Sequence, residues 1–215
     1  GSEMGPGYRD LMDYQQIRFV DSAYLLTTTY RHASELFDGS QGGADANGYP
    51  TAAMLRIAIN RGGGIINYCG HGSTAGWNTT HFDNSQVSKL ENNDKWPFII
   101  SVSCATGNFV HQDCFAESWL RASYSGKPAG AVAVLMPAID QSWDPPMYAQ
   151  QQINALLSAP DSVHPPRTFA AICMDGCMKM NDAYGTAGYE ITDTWIVFGD
   201  PSLEVRTDIP KDIEA

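Results

Sequence analysis

Three short apolar runs constrain this chain most: "GIINYC" (64–69), "PFIISVSC" (97–104) and "AGAVAVLM" (129–136). Each has strand length, and each is too apolar for a strand with one wet face. Between them lie segments with helical spacing. "TAAMLRIAINR" (51–61) predicts a helix with Thr51 as its N-cap and the following glycines as its stop. Helices are also predicted over 13–29, 83–92, 114–124, 146–158 and 168–184. The segment 192–205 closes the chain as a helical turn and an edge strand. Strands alternating with amphipathic helices predict an α/β fold, a mostly parallel sheet with helices on both faces. In such sheets ligands collect at the carboxyl ends of the strands.

Bulk composition narrows the function. The chain has 215 residues and a formal net charge of −11. Nucleic acid and anionic membranes are therefore poor partners, and a cationic substrate is attracted. No apolar run approaches the roughly 20 residues that span a bilayer, and no signal peptide is visible at the start. The five cysteines, Cys69, Cys104, Cys114, Cys173 and Cys177, form no CxxC pair. That spacing suits neither zinc nor a disulfide scaffold. Cys173 and Cys177 stand four apart on a predicted helix, a geometry that does not favour a disulfide.

Chemistry enters where two of the predicted strands end. His71, in "NYCGHGS", follows the first strand, and Cys104 ends the second. On neighbouring parallel strands both side chains would emerge at one sheet edge. There they form a nucleophile and a base: the imidazole deprotonates the thiol and later protonates a leaving amine. Gly70 and Gly72 permit close approach of a substrate backbone. The N–H groups of Gly72 and Cys104 are candidates for an oxyanion site, where loss of one donor typically costs about 3 kcal/mol. Read without any likeness, a cysteine ending a buried strand is as readily a small core residue.

The stretches "NYCGHGS", "SVSCATGNF", "CFAESWLRA", "AIDQSWDPPM" and "DTWIVFGDPSLEVRT" together resemble the gingipain family of cysteine peptidases, family C25, and the Arg-specific members more than the Lys-specific one. The resemblance runs from about residue 60 to 207. It implies a caspase-like α/β fold and cleavage after a basic residue. It also implies that Cys104 is the nucleophile, His71 the catalytic histidine and Gly72 an oxyanion donor. Trp143 and Met147 fall at the apolar walls of the specificity pocket, where they would sandwich an arginine side chain. Glu3, in "SEMGPG", is the expected partner of His71. The acid of the pocket floor is expected at Asp13, with Asp10 as the alternative.

The family likeness further implies a single catalytic domain over 1–215, without the preceding α/β subdomain or the following immunoglobulin-like module. A missing N-terminal subdomain or pro-segment is then a partner. It implies secretion or attachment to the bacterial surface, protein or peptide substrates, and no required cofactor. Structural calcium is a family trait, but the acids Asp38, Asp45, Asp140, Asp193 and Asp200 show no EF-hand spacing and are not assigned as ligands. HxxxH and HxH spacings are missing, so no metal-centred site is expected. Lys or broader basic specificity, and a non-catalytic binding or assembly module, are the rival readings. One departure stands out: Cys69 precedes Gly70, where the family usually has Thr.

Overall fold

The structure, a computed structural model, describes residues 50–110, 113–158 and 168–205. The predicted helix over 13–29 lies outside these residues. The first described helix is α1 (Ala52–Arg61). Thr51 caps it, its hydroxyl accepting the Met54 N–H at 3.3 Å, and the chain leaves it through Gly62 at φ 102°.

Four strands form the main sheet: β1 (Ile65–Cys69), β5 (Phe98–Val102), β8 (Ala133–Pro137) and β9 (Trp195–Gly199). Their order is β1-β5-β8-β9. The first three are parallel, and β9 joins β8 antiparallel as the edge strand. Between β1 and β5 lie three two-residue strands, β2 (Gly72–Ser73), β3 (Gly76–Trp77) and β4 (Phe82–Asp83), in an antiparallel sheet of their own. The short helix α2 (Asn84–Val87) follows. Helix α3 (Phe115–Arg121) and the hairpin β6 (Ser123–Tyr124) with β7 (Lys127–Pro128) connect β5 to β8. Helices α4 (Asp144–Ser158), α5 (Phe169–Tyr184) and α6 (Thr186–Thr194) lie between β8 and β9 in sequence.

Helices cover both faces, because alternate residues of a strand point to opposite sides. Phe98, Ile100 and Val102 of β5 join Ala133 and Leu135 in a core with Ile153, Phe169, Ile172, Cys173 and Cys177 from α4 and α5. Ile99 joins Val134 and Met136 in a second core with Trp77, Phe82, Val87, Phe115 and Trp119. The α4–α5 contact is close. A Cβ on Gly176 would lie 2.5 Å from the Ile153 side chain and 3.0 Å from the Ala149 carbonyl. That closeness explains a glycine inside a helix where propensity argues against one.

Two predicted elements differ. The helix over 83–92 ends at Val87. Asn92 is buried, and its amide bonds the Gly130 carbonyl, the Gly130 N–H and the Lys95 carbonyl, at 2.8, 2.8 and 3.1 Å. These tertiary bonds turn the chain away from the helix axis. The helix over 114–124 stops at Arg121, where β6 takes over.

Candidate active site at the carboxyl edge of the sheet

β1 and β5 are paired so that Cys69 lies opposite Val102. The Gly70 N–H extends the ladder by one bond, to the Val102 carbonyl at 3.0 Å. His71 and Cys104 each come two residues after that last pair. Parallel neighbours stand about 4.8 Å apart, so one register brings both residues to the same rim. They line one open cleft with Gly70, Val102, Ser103, Gln141, Ser142 and Trp143.

The cysteine is half-buried, whereas Cys69, Cys114, Cys173 and Cys177 are buried, and all five are free thiols. Its Sγ lies 3.9 Å from the Gln141 carbonyl. Ala105, the next residue, sits in the left-handed region at φ 53°. That conformation costs a non-glycine residue about 1 kcal/mol or more and marks a tightly specified turn. The Ala105 N–H donates to the Ile139 carbonyl at 3.0 Å, and its carbonyl accepts the Asn108 N–H at 3.1 Å. The turn therefore lifts the chain off the end of β5 and leaves the thiol at the rim.

His71 is exposed, and its ring meets Trp143 edge to face with centroids 5.2 Å apart. Trp143 precedes α4 and lines the cleft. Met147 stands one turn further along α4. It is 4% exposed and belongs to the core beneath, so of the two residues read as pocket walls only Trp143 lines the described cleft. Gly72 packs on the backbone at the end of β5: a Cβ there would lie 2.9 Å from the Ser103 side chain and 3.0 Å from the Cys104 carbonyl. Any larger residue would push the histidine loop away from the cysteine.

Beneath the rim runs a chain of buried polar groups that composition alone does not reveal. Trp77 Nε1 donates to Ser101 Oγ at 2.9 Å, Ser101 Oγ pairs with Ser103 Oγ at 2.8 Å, and Ser103 Oγ pairs with Thr106 Oγ1 at 2.9 Å. The signal was available as two serines at period two in an otherwise apolar strand. Gln141, whose carbonyl faces the thiol, was likewise missed as a site residue, although it lies in the stretch that carries the resemblance.

Glu3, Asp13 and Asp10 lie outside the described residues. Among the described residues no three His, Cys, Asp or Glu side chains gather as a metal site. Asp200, one of the acids considered for calcium, instead accepts the Ser202 N–H and hydroxyl, which hold its carboxyl below the usual range. No described helix is long and apolar enough to cross a membrane.

The chain is similar to gingipain R2 of Porphyromonas gingivalis, with 42% identity over 158 residues, covering 73% of this chain and 22% of that protein. Similarity to Lys-gingipain of the same organism is lower, 30% over 123 residues. The crystal structure of the Arg-specific cysteine proteinase gingipain R superposes with a TM-score of 0.81 and 36% identity, covering 96% of this chain and 46% of that one. A complex of pro- and mature domains from the same bacterium gives a TM-score of 0.70 at 42% identity, covering 74% of this chain and 38% of that chain. This chain thus spans less than half the length of these relatives, and its fold is the α/β fold of gingipain R. The model of peptidase family C25 matches residues 7–206, and the chain belongs to that family.

Proposed function

We propose that this chain carries the catalytic residues of a cysteine endopeptidase that cuts peptide bonds after a basic residue, arginine above all. The observation that supports this reading is the shared register of His71 and Cys104 at one solvent-facing cleft. The His71 imidazole takes the Cys104 thiol proton, and the thiolate adds to the carbonyl carbon of the scissile bond. The Gly72 and Cys104 N–H groups hold the oxyanion. The imidazolium then protonates the leaving amine, giving a thioester, and the neutral imidazole activates the water that hydrolyses it.

In this reading Glu3 orients His71 and steadies its charged form. Asp13, or Asp10, pairs with the guanidinium as a carboxylate pairs best with arginine, in bidentate fashion. The Trp143 face packs on the arginine stem, with Met147 supporting it from below. The net charge of −11 draws cationic substrates toward the cleft. The chemistry needs no cofactor, and any calcium would be structural. By likeness to the gingipains this reading puts the protein outside the cell or on its surface, and the pro-domain complex of a relative supports a pro-segment as a partner.

Cys104→Ala should lower turnover of an arginine amide by about 10⁴-fold or more, with the melting temperature unchanged. Wild-type protein should cleave the arginine amide faster than the lysine amide. Turnover that survives in Cys104→Ala rejects the assignment. A wild-type cysteine that no arginyl chloromethyl ketone labels would favour a non-catalytic module.

A further inference from the structure

The proposed peptidase chemistry needs the Gly72 N–H aimed at the oxyanion, and the fold contains a device that sets that angle. The His71–Gly72 peptide is trans, as no cis bond occurs among the described residues. Its carbonyl and its N–H therefore point in opposite directions, and fixing one fixes the other. The His71 carbonyl accepts two hydrogen bonds, from the Tyr68 hydroxyl at 2.7 Å and from the Asn78 N–H at 3.0 Å. Two donors use both lone pairs of that oxygen.

The Asn78 bond also places Gly72, which pairs with Trp77 in the β2–β3 ladder, at a position whose own N–H faces away from β3. Gly72 itself lies against the residues at the end of β5, where a Cβ on it would meet the Ser103 side chain and the Cys104 carbonyl. Tyr68 has little freedom to swing. It is 2% exposed, its ring stacks on Trp77 with centroids 4.4 Å apart, and its oxygen lies 3.1 Å from Thr79 Oγ1.

We propose that Tyr68 is a positioning residue: its hydroxyl, through the His71 carbonyl, holds the Gly72 N–H on the oxyanion of the reaction. This rests on the peptidase reading above. The contribution of Tyr68 is to the angle of one peptide plane. Tyr68→Phe removes a single oxygen and keeps the ring stack.

The test is kinetic, in the full-length protein. An arginine amide and an arginyl peptide aldehyde both place a negative oxygen in the oxyanion site. Iodoacetamide does not, because the thiolate displaces iodide from a methylene carbon without any carbonyl addition. Tyr68→Phe should lower kcat by about 30-fold with KM within about threefold. Aldehyde affinity should fall in parallel, and the alkylation rate of Cys104 should stay at the wild-type value. Thr79→Val leaves the Tyr68–His71 bond in place and should keep kcat within about threefold of wild type.

An unchanged kcat in Tyr68→Phe would overturn the proposal. So would an equal loss in Thr79→Val, a parallel loss of alkylation, or a Tyr68→Phe chain that fails to fold, each of which makes Tyr68 a general support of the core. Failure of the peptidase reading shows itself separately, as turnover that survives Cys104→Ala, and would take this proposal with it.

Discussion

The two faces of the main sheet bury similar strands with different chemistry. On the face toward α4 and α5 the β5 residues are Phe98, Ile100 and Val102, and they meet apolar side chains, while the buried polar groups of that face, Gln150 and Asn154 of α4, bond Asn67 of β1 instead. On the other face β5 begins with Ile99 but continues as Ser101 and Ser103, which join Trp77 and Thr106 in a hydrogen-bonded chain. Apolar burial is non-directional: it stabilises whatever shape fills the space. Hydrogen bonds weaken steeply with angle. Both faces therefore supply stability through apolar burial, and the hydroxyl chain of the second also fixes the angles of the two loops that carry His71 and Cys104.

The largest test of that division is Ile153→Ala. Ile153 is fully buried in the apolar layer and presses on Gly176. Its truncation should cost about 3 kcal/mol in urea unfolding, while kcat of the folded protein stays at the wild-type value. A large loss of kcat at full folding would show that the apolar face also sets the site.

A somewhat smaller effect follows from the thiols of the same face. Burial pushes the Cys177 thiol up to about 11, and burial raises Cys173 as well, with Cys177 beside it adding to the effect. A folded-state value raised above the unfolded 9.0 means the fold favours the neutral thiol. That stability is complete below pH 9 and is lost as pH rises toward 11, about 2.5 kcal/mol for Cys177 by linkage. Unfolding curves at pH 8 and pH 11 should show the loss, and Cys177→Ala should reduce it. An identical pH slope in that variant would place the titration elsewhere.

Much of this was legible from the residues. The three buried strands announced themselves as apolar runs bounded by Gly and Pro, and Thr51 announced its helix as a cap. The register that joins His71 to Cys104 followed once two such runs were taken as parallel neighbours. The small antiparallel sheet around Gly72 and Trp77 was not legible, because two-residue strands carry no periodicity. The early stop at Val87 depends on Asn92 bonding Gly130, a contact across 38 residues that no local propensity encodes. Met147, one turn beyond Trp143 on α4, is buried in the core with Trp143 packed against it, a placement that spacing alone does not give. The left-handed Ala105 was hidden because alanine carries no signal for a positive φ.

Ser101→Ala probes the directional face with the smallest expected change in stability. Its hydroxyl accepts from Trp77 and pairs with Ser103, and its carbonyl separately accepts the Trp195 indole N–H at 3.1 Å. The backbone bond survives the substitution, so the strand stays in register. Trp77 Nε1 loses its acceptor while buried, which costs about 1.5 kcal/mol, roughly half the effect of Ile153→Ala. The consequence for catalysis should run the other way. Ser103 then holds Thr106 alone, the turn through Ala105 loosens, and kcat should fall about fivefold, since small misplacements of a reacting group are costly. Urea unfolding and steady-state kinetics on the same preparation measure both quantities. If Ser101→Ala loses stability without losing kcat, the hydroxyl chain is packing material, and the contrast between the two faces reduces to one of polarity.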